Sequence, residues 1–328
     1  MKGKLLSTIL AGLMCASMVG AAAQNIFAAK QEIYTMVVFL KGSEFFNWAY
    51  AGMADAAKNI GEHIKVEFHG PATWDAALEA WTIMKLTDRK VDGIIVTAGD
   101  AHALDSAIDR ATKAGIPVIT FDSDAKDSRR LAFVGTNNYN AGYTAGLRMA
   151  KWLSGDGAIG ISTFYGPSHL EERVRGFKAG VAAVSPNTKI MVVDDEGKME
   201  QAAPKITAML KANPDIKGIF ASHGNPGPGA AQAVRDLGLS GKVQIMGFDF
   251  GSALVALVDQ GEIRGTVGQN PYLMGYMSML LAYSARHPTQ VQSTNGNFGH
   301  TPSNIDTGVR ILGKTDMTPL KKGPPVVK

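Results

Sequence analysis

Cysteine is nearly absent: 328 residues carry one, Cys15. A single thiol excludes an intramolecular disulfide framework and any cysteine-rich zinc site. Charge of one sign is equally scarce, with 33 Lys+Arg against 29 Asp+Glu and a formal net charge of +4. So mild and scattered an excess gives no reason to expect a nucleic-acid partner. Past the first thirty residues no run is long and apolar enough to span a bilayer. No Gly-x-Ser-x-Gly elbow or His-Glu-x-x-His pair occurs. None of the seven histidines has a partner at metal-ligand spacing, so neither a metal nor a cofactor is expected.

What is present suits a folded chain of two domains, at ~150 residues per domain. Hydrophobic residues make up 45% and charged residues 19%, enough to bury sizeable cores. The 37 glycines, about 11% against an ordinary ~7%, point to many tight turns between short elements.

The N-terminus is read as an address. Lys2 and Lys4 form a short basic stretch, and Leu5 to Ala23 then runs without a charge. Ala21-Ala22-Ala23 has the small-residue form of a cleavage site before Gln24, with an alternative cut after Phe27-Ala28-Ala29. A membrane anchor is the other reading of such a segment, but its Ala, Gly and Ser content and small-residue ending favour a signal peptide over residues 1–23, cut as late as 29. Removing it takes away Cys15 and leaves 31 basic against 29 acidic residues, a nearly neutral, soluble, exported protein.

The remainder alternates strand and helix. Short β-branched and aromatic runs recur at Tyr34–Leu40, Ile64–His69, Asp92–Thr97, Ile116–Phe121 and Leu131–Thr136. A second set follows at Ala158–Phe164, Lys189–Val193, Ile216–Ala221, Val243–Phe248 and Ile263–Gly268. Most are continuous apolar runs, as in parallel strands covered on both faces. Helical periods lie between them, as in Phe46–Ile60 and Ala103–Ala114. Such βαβ units close right-handed into parallel sheets. The fold class expected is α/β: two doubly wound parallel-sheet lobes joined by a hinge that the chain crosses more than once. Residues 30–136 plus 270–297 are assigned to the N-terminal lobe, and 137–269 plus 298–328 to the C-terminal lobe.

Ligands of such sheets bind beyond the carboxyl ends of the strands. There the sequence places Lys41, Ser43, Phe45 and Phe46 after the first strand and Asp122 after the fourth. The second set supplies His223, Asn225, Asp249 and Gln269, with Arg173 and Arg175 on an intervening helix. Aromatic faces stack on the C–H faces of a sugar ring, while planar bidentate groups match adjacent hydroxyls. The inventory suits a polyhydroxylated solute of low net charge. Each member also has a plainer reading: Phe45, Phe46 and Phe248 as core, Asp122 and Asp249 as helix N-caps, the arginines as solvated helix residues, Gln269 as a hinge-turn residue.

The order of these residues carries a resemblance. Glu44-Phe45-Phe46, Gly115-Ile116-Pro117-Val118-Ile119-Thr120-Phe121-Asp122 and Val134-Gly135-Thr136-Asn137-Asn138 come first. Arg173 with Gly176-Phe177, then Gly247-Phe248-Asp249 and Gly265-Thr266-Val267-Gly268-Gln269-Asn270-Pro271 follow. From about Tyr34 onward the chain resembles the periplasmic solute-binding proteins of ABC sugar importers, the ribose-binding-protein-like (type I) group. The resemblance implies that Phe45 and Phe46 sandwich the sugar from the first lobe and that Phe248 is their counterpart in the second. It also implies that Asp122, Arg173, Asp249 and Gln269 are polar ligand groups. Departures fall at Ser43 for an Asn, Phe39 for a Ser, Ser123 for an Arg and His223 for an Asn, with Asn225 two residues on. The segment around Lys198-Met199 lacks an expected aromatic. Phe39 adds bulk to the pocket, and Lys41 near its mouth raises the idea of an anionic sugar derivative.

The function expected is a non-enzymatic one: binding of a sugar or polyol between two lobes, and delivery to an ABC permease. The periplasm is the expected location, a monomer the expected state, and a chemoreceptor a further candidate partner. An exported carbohydrate-active hydrolase is the rival of a different class. A sugar-responsive transcription regulator shares the architecture but would carry a helix-turn-helix where this chain has its leader.

Overall fold

In the computed structural model, residues 30–166, 168–288 and 302–323 are described. The expected leader, with Lys2, Lys4 and Cys15, lies outside them. The ten strands read from sequence all form, two of them with the expected ends and the others with an end shifted by one to three residues. They are β1 (Glu32–Val37), β2 (Ile64–His69), β3 (Gly93–Val96), β4 (Val118–Phe121), β5 (Ala132–Gly135), β6 (Ala158–Thr163), β7 (Ile190–Asp194), β8 (Ile216–Ala221), β9 (Gln244–Phe248) and β10 (Gly265–Gly268). Two three-residue strands follow, β11 (Asn304–Asp306) and β12 (Arg310–Leu312).

The first sheet has the order β11-β5-β4-β3-β1-β2 and the second β12-β10-β9-β8-β6-β7. All pairings are parallel except β10 with β12. Position by position the sheets correspond, so β4 and β9 are equivalents, as are β2 and β7. Successive side chains of a strand point to opposite faces, and both faces of each sheet are covered. Ile95 joins the cluster under α1 (Glu44–Ile60) and α9 (Pro271–Arg286). Its neighbours Ile94 and Val96 join the opposite cluster, under α2 (Ala76–Asp88) and α3 (Ala101–Lys113). The second sheet is covered likewise. On one face lie α4 (Asn138–Leu153) and α5 (Ser168–Ala182). On the other lie α6 (Met199–Ala212), α7 (Pro226–Asp236) and α8 (Ser252–Gln260). A short α10 (Met317–Leu320) ends the described chain.

The chain crosses between the sheets three times: after β5, after β10 and between β11 and β12. Asn137 and Asn270 cap the helices that begin just past the first two crossings, accepting from the Asn140 and Leu273 amides at 3.0 Å each. Capping there fixes where each helix starts, so rotation concentrates in the few residues before it. The third crossing corrects one expectation. The boundary at 298 assigned everything after it to the C-terminal lobe, yet Asn304–Asp306 pairs with β5 in the first sheet. Only Ile305 is apolar in that strand, too short a signal to read as periodicity.

Candidate functional site

A cleft of about 570 Å³ lies between the carboxyl ends of the two sheets. Its centre is a pair of equivalent aspartates. Asp122 follows β4 and Asp249 follows β9, and both adopt left-handed backbone conformations, φ 59° and 68°. Their amides donate to the equivalent carbonyls, Val134 at 3.1 Å and Val267 at 2.8 Å. Non-glycine residues rarely hold positive φ, and such strain gathers at functional positions. Neither aspartate caps a helix; both turn their carboxylates toward the cleft.

Between them stands Arg173, 5% exposed on α5. Its Nε donates to Asn138 Oδ1 at 2.7 Å and its Nη1 to the Ser222 carbonyl at 3.1 Å. The guanidinium lies over the Phe248 ring, 3.8 Å from its centroid. Close contact between α4 and α5 places it there: a Cβ on Gly142 would sit 2.0 Å from the Arg173 carbonyl oxygen, so only glycine allows the approach.

Burial and the neighbouring Asp249 push Asp122 up to about 7, against the pull of Arg173 and Thr97. Burial also raises Asp249, opposed by Arg173 and by Gln269. The cleft thus holds two carboxylates reluctant to ionise together and one guanidinium whose directions are set by the protein. Gln269 joins this centre to the crossings: its Nε2 donates to Asp249 Oδ1 at 2.8 Å, and its Oε1 accepts from Thr136 Oγ1 at 2.6 Å.

His223 adds a second polar group. Its Nε2 meets buried Asp195 at 3.0 Å, and Asp195 also accepts from Ser162 Oγ and the Gly197 amide. Asn225 lines the same wall and donates to the Gly197 carbonyl at 2.9 Å. Opposite, the first lobe offers Phe39, Ser43, Phe45 and Phe46. Phe46 meets Phe39 and Phe45 edge-on, with centroids 5.0 and 5.6 Å away.

Ten of the twelve residues expected in the site therefore line one cleft. Two do not. Phe248 is fully buried in the cluster beneath α4 and α5, where it supports Arg173 instead of facing a ligand. By register it is the equivalent of Phe121, not of the Phe45-Phe46 pair. Lys41 is exposed and donates to the Phe68 carbonyl at 3.1 Å, outside the cleft. Arg175 pairs with Glu172 on the surface. Sequence reasoning missed His169, Trp48 and Phe250, all in the lining, and took Glu44, also there, only as a motif residue beside Phe45. His169 stands four residues before Arg173 and so shares its helix face; burial, with Arg173 and His223 nearby, lowers its imidazole to about 3. Glu44 reaches across the cleft and accepts the Ser252 amide at 2.9 Å, joining the first lobe to the start of α8.

Residues 33–286 match the periplasmic binding protein domain family. The chain belongs to that family. Among curated members, the ribose import binding protein RbsB of Escherichia coli K12 is 28% identical, over 84% of this chain and 90% of its own. The D-allose-binding periplasmic protein of the same organism is 26% identical over 88% and 92%. Among solved structures, the arabinose-binding protein AraP of Geobacillus stearothermophilus superposes with a TM-score of 0.83 at 31% identity, covering 88% of this chain and 98% of that one. A sugar-binding protein of a Bacillus halodurans sugar ABC transporter gives 0.82 at 32% identity, over 88% and 99%. Two six-stranded lobes with a cleft at their carboxyl ends are thus the fold of this periplasmic binding protein. Among the described residues no helix is long and apolar enough to cross a membrane.

Proposed function

We propose that this periplasmic binding protein is the solute-binding component of an ABC importer and takes a neutral sugar or polyol. One observation carries the reading: Asp122, Arg173 and Asp249 converge from two lobes on a cleft walled by Phe39, Phe45 and Phe46. Carboxylates accept from sugar hydroxyls, the guanidinium donates to them, and the aromatic wall covers a C–H face. Relatives named for ribose, allose and arabinose support this ligand class. The anionic derivative loses its support with Lys41 outside the cleft. Arg173, already bonded to Asn138 and Ser222 and flanked by two carboxylates, has little positive potential left for a sugar acid.

The ligand binds one lobe first and the second lobe then closes on it, because the closed state makes more contacts with it. Contacts such as that between Glu44 and Ser252 form only when the lobes meet. In this reading the protein is a periplasmic monomer, exported through residues 1–23, and its closed form is what a membrane permease engages. In this reading it binds without chemistry, the two central carboxylates sharing Arg173 in a hydroxyl-binding arrangement. A thermal-shift screen over pentoses, hexoses, polyols and sugar acids tests this. A raised melting temperature with recovered, unchanged ligand is expected; a reaction product, or a response confined to sugar acids, contradicts it.

A further inference from the structure

The three crossings all leave from the β5, β10, β11 and β12 side of the sheets. The opposite edges, β2 and β7, therefore border the side of the cleft where the lobes part. Three large apolar side chains lie exposed at that side. Trp74, after β2, is 60% exposed; Tyr165, after β6, 63%; and Met199, which starts the helix after β7, 53%.

Trp74 is not isolated from the site. Its ring lies 4.5 Å from Phe39 at 35°, Phe39 meets Phe46 at 5.0 Å, and Phe46 meets buried Phe121 at 6.1 Å. One aromatic row thus runs from the core beside Asp122, through the cleft wall, to a tryptophan in solvent. Trp74 is outside the cleft lining, so a single ring held at Asp122, Arg173 and Asp249 leaves it bare. One face of its indole backs onto Phe39. A tryptophan held on one face and open on the other is the surface that a pyranose C–H face stacks on.

We infer that the open side of the cleft is a second sugar subsite, and that the ligand is a glycoside or disaccharide whose outer ring stacks on Trp74. The inner ring occupies the polar centre; Phe39, in the middle of the row, lies under the linkage. This rests on the reading of the cleft as a sugar site and adds a ligand size to it. Continuity with the cleft wall favours a sugar over a protein partner at this patch.

The test uses the full mature chain and titrates free pentoses and hexoses, their methyl and phenyl glycosides, and disaccharides by calorimetry, against wild type and Trp74→Ala. At least one glycosylated ligand should bind about tenfold more tightly than its free parent sugar. Trp74→Ala should abolish that advantage, leaving the free sugar within about twofold of wild type and the ligand-free melting temperature unchanged. Free sugars binding as well as or better than every glycosylated form would overturn the subsite while leaving the sugar site standing. Loss of free-sugar and glycoside affinity in equal measure in Trp74→Ala would also overturn it. No binding of any sugar would overturn both readings.

Discussion

The two walls of the cleft are built from equivalent strands but differ in chemistry. The first-lobe wall is aromatic, with Phe39, Phe45 and Phe46 around a single central carboxylate, Asp122. The second-lobe wall is polar, with Arg173, His223, Asn225, Asp249 and Gln269. Their support differs accordingly. The aromatic rings hold one another edge to face. The polar groups of the second lobe are held by further residues: Arg173 by Asn138, Ser222 and Phe248, His223 by Asp195, Gln269 by Thr136. Hydrogen bonds are directional and lose value with small displacements, whereas stacking tolerates them. The polar wall should therefore set which sugar binds, and the aromatic wall how tightly any sugar binds.

The largest break comes from Arg173→Ala. Charged hydrogen bonds contribute about 1.5–3 kcal/mol each, and the change also leaves Asp122 and Asp249 without their shared cation. Affinity should fall on the order of a hundredfold by calorimetry. Arg173→Lys keeps the charge but not the planar stack on Phe248, and should still lose about tenfold. Next is Phe45→Ala on the opposite wall. Phe45 is only half-buried, so the fold survives while affinity drops about tenfold for every sugar that binds, leaving their ranking unchanged. A changed ranking would contradict the division between the walls.

Asp122→Asn separates binding from stability. The folded pKa of Asp122, about 7, stands above its unfolded value of 3.8. The folded ligand-free protein thus holds the proton more tightly, and stability falls as pH rises from about 4 through 7. Without the titrating group, the variant should melt about 2–4 °C higher than wild type at pH 8, with a smaller gain at pH 5. Its sugar affinity should nevertheless be lower. The smallest effect belongs to Glu44→Ala, which removes the contact with the Ser252 amide. Dissociation should quicken by about two- to fivefold in stopped-flow measurements, with association unchanged, because the contact forms only on closure.

Fold and site were unequally legible in the sequence. Gly93–Val96 and Val118–Phe121 are buried along their whole length, so each reads as an apolar run whatever surrounds it. Asn304–Asp306 has one apolar residue and becomes a strand only because β5 offers it an edge. In the site, residues at strand ends could be found because topology sends strand ends to the cleft. Phe248 misled for the same reason: it ends β9, but a strand's last side chain points to one face, and here that face is the core beneath Arg173. His169 was recoverable from its spacing to Arg173. The contact of Glu44 with Ser252 was not, since the two lie 208 residues apart on different lobes.

The most direct test of the central claim is calorimetric titration of wild type and Arg173→Ala with the same sugars, ribose, allose and arabinose among them. Binding of at least one neutral sugar by the wild type, weakened more than tenfold in the variant, is the result the cleft geometry predicts. A sugar bound equally well by both proteins would contradict it.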